Sequence, residues 1–114
     1  MAYPLGTVFG IPHGAANALI FPHVLAANAA AAPEKTKAIC EALGLDDSSE
    51  AALLDSAIVY CRSLGLPMQL SEHGVTEDAL GRMAQQAHAI RRLLDYNPRD
   101  LSVAEIEAIY RAAL

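Results

Sequence analysis

Apolar residues recur along most of this chain at spacings of three and four, the period of a helix with one buried face. Leu53, Leu54, Ala57, Ile58, Cys61 and Leu64 make one such stripe. Leu80, Met83, Ala84, Ala87 and Leu94 make a second, and Val103, Ile106, Ile109, Tyr110 and Ala113 a third. No segment sustains the period-two alternation of a half-buried strand. The pattern predicts an all-α fold, a bundle of five or six helices forming one domain over residues 1–114.

Prolines, glycines and small polar residues set the expected boundaries. Residues 1–11 carry Pro4, Gly6 and Gly10 and read as a loop. A helix is expected from about Pro12 to Ala31; Pro12 suits its first turn, where a missing N–H leaves nothing unpaired. Pro22 cannot bond the Ala18 carbonyl and predicts a kink or a break. Pro33 restarts the chain, and Glu34 to Leu43 reads as a short helix closed by Gly44. Asp46 to Glu50 offer N-caps and first-turn acids to the helix carrying the first stripe, which Gly65 and Pro67 terminate. Residues 70–74 read as a loop. Thr76 is the expected cap of the next helix, with Val75 stapled onto Leu80. Ser102 and Glu105 form a capping box for the last helix, with Leu101 packed on Ile106.

Composition narrows the classes. Apolar residues make up 54% but aromatics only 5%, so the apolar content is mostly Ala and Leu, the residues of helix interfaces. The net charge is −5 and the eight Lys and Arg are scattered. Lys35 with Lys37, and Arg91 with Arg92, make no basic stripe, which argues against a nucleic-acid partner. No apolar run reaches the roughly 20 residues of a membrane span. Gly14 to Ala32 comes closest, but Asn17, Pro22, His23 and Asn28 interrupt it, and no basic segment precedes it as in a signal peptide. Cys40 and Cys61 are isolated, as buried thiols in a reducing compartment are. A soluble cytoplasmic protein is expected.

The chemistry concentrates in Gly10-Ile11-Pro12-His13-Gly14-Ala15-Ala16-Asn17-Ala18, continuing as Leu19-Ile20-Phe21-Pro22-His23-Val24. His13 falls at a helix start, where Pro12 fixes the approach and Gly14 leaves room for a ligand. A helix N-terminus disfavours the protonated ring, and a metal needs the neutral one. Asn17, one turn on, is placed to support His13. His23 reads as a residue of helix packing or hydrogen bonding, and His73 and His88 as surface residues.

This run resembles the signature of the iron-dependent (group III) alcohol dehydrogenases, of the dehydroquinate synthase-like fold. Ala2-Tyr3-Pro4-Leu5-Gly6 is similar to the linker before that family's Pro-His-Gly helix. Asn97-Pro98-Arg99, followed by a helix with Ile106 and Ile109-Tyr110, is similar to its usual ending. The likeness covers nearly the whole chain and corresponds to about the last third of a member, within the C-terminal helical metal-binding domain.

The resemblance implies that His13 is one of four protein ligands, an Asp and three His, to a catalytic divalent metal, iron or zinc. The other three lie upstream in the family, and nothing here corresponds to them. Tyr3 stands near the metal at a position some members fill with His. The family's NAD(P) rests mainly on an N-terminal nucleotide-binding domain with a Gly-Gly-Gly-Ser-type loop, also without a counterpart here. The expected protein is therefore a truncated oxidoreductase that does not catalyse NAD(P)-linked alcohol–aldehyde interconversion alone. The alternative is a non-catalytic, self-associating binding or assembly module derived from that family. Either way, a homo-oligomer or a complementary chain is the expected partner. Phe9, Ile11, Leu19, Ile20 and Phe21 are expected at the contact.

Overall fold

A 16-residue helix runs through the middle of the structure, a computed structural model that describes residues 1–114, Arg92 and Leu93 excepted. The elements are α1 (Tyr3–Phe9), α2 (His13–Asn28), α3 (Pro33–Leu43), α4 (Glu50–Ser63), α5 (Leu80–Ala89), the single turn α6 (Arg91–Leu94) and α7 (Val103–Ala113). Two 3₁₀ turns, Leu70–His73 and Glu77–Ala79, lie between α4 and α5. Among the described residues there is no strand, and the all-α expectation holds. Helix α2 packs against α4 on one side and α7 on the other, while α5 packs on α7. The shortest dimension is 20 Å, about two helix diameters.

Local chemistry explains most boundaries. Ser49 caps α4 by accepting the Ala52 N–H at 3.0 Å. Gly44 closes α3 in the left-handed conformation at φ 70°, where an L side chain would be strained. The capping box forms as expected: Ser102 Oγ accepts the Glu105 N–H, and the Glu105 carboxylate accepts the Ser102 N–H, each at 3.2 Å. That second bond holds the Glu105 carboxyl below the ordinary carboxylate range.

Several expectations fail, each for a local reason: residues 70–74, read as a loop, hold the 3₁₀ turn Leu70–His73, which Gly74 closes at φ 81°. Residues 1–11 are not a loop, because Pro4 in the first turn starts α1 and Gly10, at φ 66°, stops it. The Gly10 and Ile11 N–H groups bond back to the Gly6 and Leu5 carbonyls at 3.1 and 3.2 Å, a glycine C-cap. Thr76 does not cap α5: its hydroxyl donates to the Asp78 carboxylate, and the chain enters α5 through the 3₁₀ turn instead. Leu64 is 62% exposed rather than buried, since α4 ends at Ser63 and Gly65 turns the chain away at φ 82°.

Pro22 neither breaks nor ends α2. Its missing N–H leaves the Ala18 carbonyl without a helical donor. The thiol of Cys61, in α4, takes that place with Sγ 3.9 Å from the carbonyl oxygen, a weak bond from a soft donor. Burial pushes the Cys61 thiol up, so it keeps the proton it donates.

The main core joins α1, α2, α5 and α7 through Leu5, Leu19, Ile20, Leu80, Met83, Ile106 and Tyr110. A second cluster, Leu25, Cys40 and Leu53, ties α2 to α3 and α4. Tyr110 has no exposed surface, and its hydroxyl donates to the Met1 carbonyl, tying the last helix to the first residue. Burial pushes its phenol well above the ordinary range.

Candidate functional site

Pro12 has an extended backbone (ψ 139°) and turns the chain into α2 at His13. The first helical N–H groups there have no helical acceptor. His13 is exposed, and its Nε2 lies 3.0 Å from Asn17 Nδ2, the i,i+4 contact expected of two residues on one helical face. The amide can donate N–H to a bare Nε2; turned over, its oxygen accepts from Nε2–H and leaves the Nδ1 lone pair free. The second arrangement is the one that suits a metal ligand. A Cβ built at Gly14 would meet nothing within 4 Å, so the space beside His13 is open.

Other donors do not join His13. Among the described residues, no group of three or more His, Cys, Asp or Glu side chains is placed to hold a metal ion. Among the described residues, what a metal would meet here is the His13 imidazole and the Asn17 amide beside it. Tyr3 is 53% exposed and lines a shallow depression with Ala89, Ile90 and Arg91. No hydrogen bond among the described residues links it to His13 or Asn17.

The remaining histidines differ from expectation in part. His23 is 6% exposed, and its buried Nε2 has no hydrogen-bond partner among the described residues. Burial lowers its pKa. His73 and His88 are half-buried rather than on the surface, and the His73 Nε2 is likewise buried without a partner. Arg91 pairs with Asp95 and Asp100 at 3.0 and 3.5 Å, exposed pairs worth about 0–1 kcal/mol each. Its neighbour Arg92 lies outside the described residues.

Because the buried His23 is depressed below its ordinary value, the unfolded chain takes up its proton first as pH falls. Stability from this residue should be full above about pH 7.5 and should decline as pH drops through the ordinary histidine range near 6.5. Urea unfolding from pH 7.5 to 5 should show that decline in the parent chain, with a smaller slope in His23→Leu. Equal slopes would rule the residue out.

A groove of about 690 Å³ runs along α2 from Asn17 to Asn28, between α3 and the segment 94–98. Two features of its walls carry no local sequence signal. Asn28 and Asn97 bond reciprocally, amide to amide, at 2.8 and 3.0 Å. Asn97 Nδ2 also donates to the Arg99 carbonyl at 2.7 Å, so the Asn-Pro-Arg turn is pinned to the end of α2. Ile11, Leu19 and Ile20, expected at a contact between chains, are at most 4% exposed and belong to the chain's own core.

The family model for the Fe-containing alcohol dehydrogenase family, C-terminal, matches residues 1–114. The chain belongs to the iron-containing alcohol dehydrogenase family. It is 31% identical to the lactaldehyde reductase of Escherichia coli (strain K12) over 123 residues, covering 99% of this chain and 31% of that protein. It is 33% identical to the NAD-dependent methanol dehydrogenase of Bacillus methanolicus over 120 residues, covering 100% of this chain and 31% of that one. A crystal structure of 1,3-propanediol oxidoreductase superposes with a TM-score of 0.81 at 35% identity, over 99% of this chain and 31% of that one. The chain thus spans about 31% of the length of these family members and matches their C-terminal, all-helical region. No described helix is long and apolar enough to cross a membrane.

Proposed function

We propose that this chain is the metal-binding helical part of an NAD(P)-linked alcohol dehydrogenase, in which His13 supplies one ligand to a divalent metal, iron or zinc. The remaining ligands and the NAD(P) cradle come from polypeptide outside the matched region, and the chain does not turn over alcohol alone. The observation that carries this is the His13–Asn17 pair at the exposed start of α2, beside the open space over Gly14. A metal there supplies Lewis acidity to the substrate oxygen. The chain's own part is to present an imidazole at the start of α2 and to fix that ring through Asn17. Two buried, unpaired thiols fit a cytoplasmic setting.

A second reading, a self-associating module without redox chemistry, draws support from the apolar groove along α2 and the exposed Tyr96 at its rim. A homo-oligomer would cover that surface.

The decisive comparison is between the chain alone and the chain supplied with the preceding part of the Escherichia coli lactaldehyde reductase. Alone, with ferrous iron or zinc added, it should give no alcohol-dependent NAD(P) reduction above background. Completed, it should bind metal and turn over. Turnover by the isolated chain that vanishes in His13→Ala would overturn the proposal by showing that copies of the chain share a complete site.

A further inference from the structure

The groove along α2 has the dimensions and lining of a seat for one helix. From Asn17 to Asn28 it follows twelve residues of α2, about 16 Å or three helical turns. Phe21, Val24 and Leu25 of α2 and Ile39 of α3 make its apolar walls. Tyr96 stands at its rim and is 89% exposed, an aromatic left in water at the edge of an apolar channel, as interface anchors are in an unbound partner. Lys35 is the one charged side chain on the lining among the described residues.

Position identifies the occupant. Met1 and Ala2 form part of the groove wall. In the Escherichia coli relative the matched C-terminal region is 31% of the protein, so about two thirds of its chain precedes that region. At the groove's other landmark, Asn17 contacts His13, so whatever fills the groove passes beside the candidate ligand.

We propose that the groove seats a helix of the segment that precedes the matched region in the relatives, apolar toward Val24 and Ile39 and bearing a carboxylate opposite Lys35. The inference rests on the reading of this chain as the C-terminal part of an alcohol dehydrogenase. It adds the surface through which the rest of the enzyme is held.

The test co-expresses the tagged 114-residue chain with the segment of the Escherichia coli lactaldehyde reductase that precedes its matched region, and measures mass by light scattering and affinity by titration. A one-to-one complex is expected. Val24→Glu and Ile39→Glu should each weaken it at least tenfold, and Lys35→Glu severalfold. Tyr96→Asp should weaken it too, at a site too exposed to disturb the fold. Val59→Glu, on the exposed face of α4, should leave it unchanged, and circular dichroism should match across the set. Three results overturn the proposal: no complex, a complex indifferent to the groove substitutions, or a groove-dependent dimer of this chain in place of the complex. His13→Ala separates the two readings. It should leave the complex intact while reducing metal uptake; a groove-dependent complex whose metal uptake ignores His13 would sink the metal reading and keep the seat.

Discussion

Tyr110→Ala should destabilise the fold by about 3–5 kcal/mol, the usual cost of deleting a buried aromatic ring. The ring has no exposed surface and sits in the main core among helices α1, α2, α5 and α7. The surrounding side chains come from several elements and cannot all collapse into the space, so a cavity remains. Domains of this size hold only about 5–15 kcal/mol in total. The thermal midpoint should therefore fall by roughly 12–20 °C, at a few degrees per kcal/mol. Tyr110→Phe isolates the hydroxyl, which donates to the Met1 carbonyl, and should cost only about 1 kcal/mol. Thermal melts of the three proteins check both steps. An alanine variant that melts within a few degrees of the parent would mean that α7 is not the keystone this packing makes it.

The second large effect concerns the metal. In the chain completed by its preceding segment, Asn17→Ala should weaken zinc or ferrous affinity about 10–100-fold, the range for losing a group that orients a ligand. His13→Ala should weaken it further, because a donor is lost outright. Asn17 acts only through the ring it contacts at 3.0 Å, so His13→Ala and the double substitution should bind metal alike. Titration with a chromophoric zinc indicator reads all three variants. If His13→Ala binds as tightly as the parent, the metal does not sit at this helix start.

Most helices were legible in the sequence because their signals are local. The caps of α4 and α7 and the glycine stop of α3 need only three to five residues to be read. Helix α1 was misread for a physical reason: its short run of Pro and Gly has the composition of a loop, yet Pro4 and Gly10 sit where a start and a stop belong. The His13–Asn17 pair was legible because i,i+4 spacing is itself geometry. The burial of Ile11, Leu19 and Ile20 could be foreseen, but not what would bury them. Hydropathy says that a face leaves water, not whether its cover comes from the same chain or another. The Cys61–Ala18 contact has half a signal, since Pro22 announces an unpaired carbonyl without naming its donor.

The reciprocal amide pair between Asn28 and Asn97 makes two positions 69 residues apart behave as a single heritable character. Each amide presents its oxygen to the other's nitrogen. Exchanging either one alone for Asp sets oxygen against oxygen, and for Leu it takes from the remaining amide the partner of its oxygen in a half-buried place. Drift at one position is tolerated only alongside a matching change at the other. In a collection of related chains, the turn after α6 and the end of α2 should therefore vary in step, and a chain that has lost one partner of the pair should be found to have lost both.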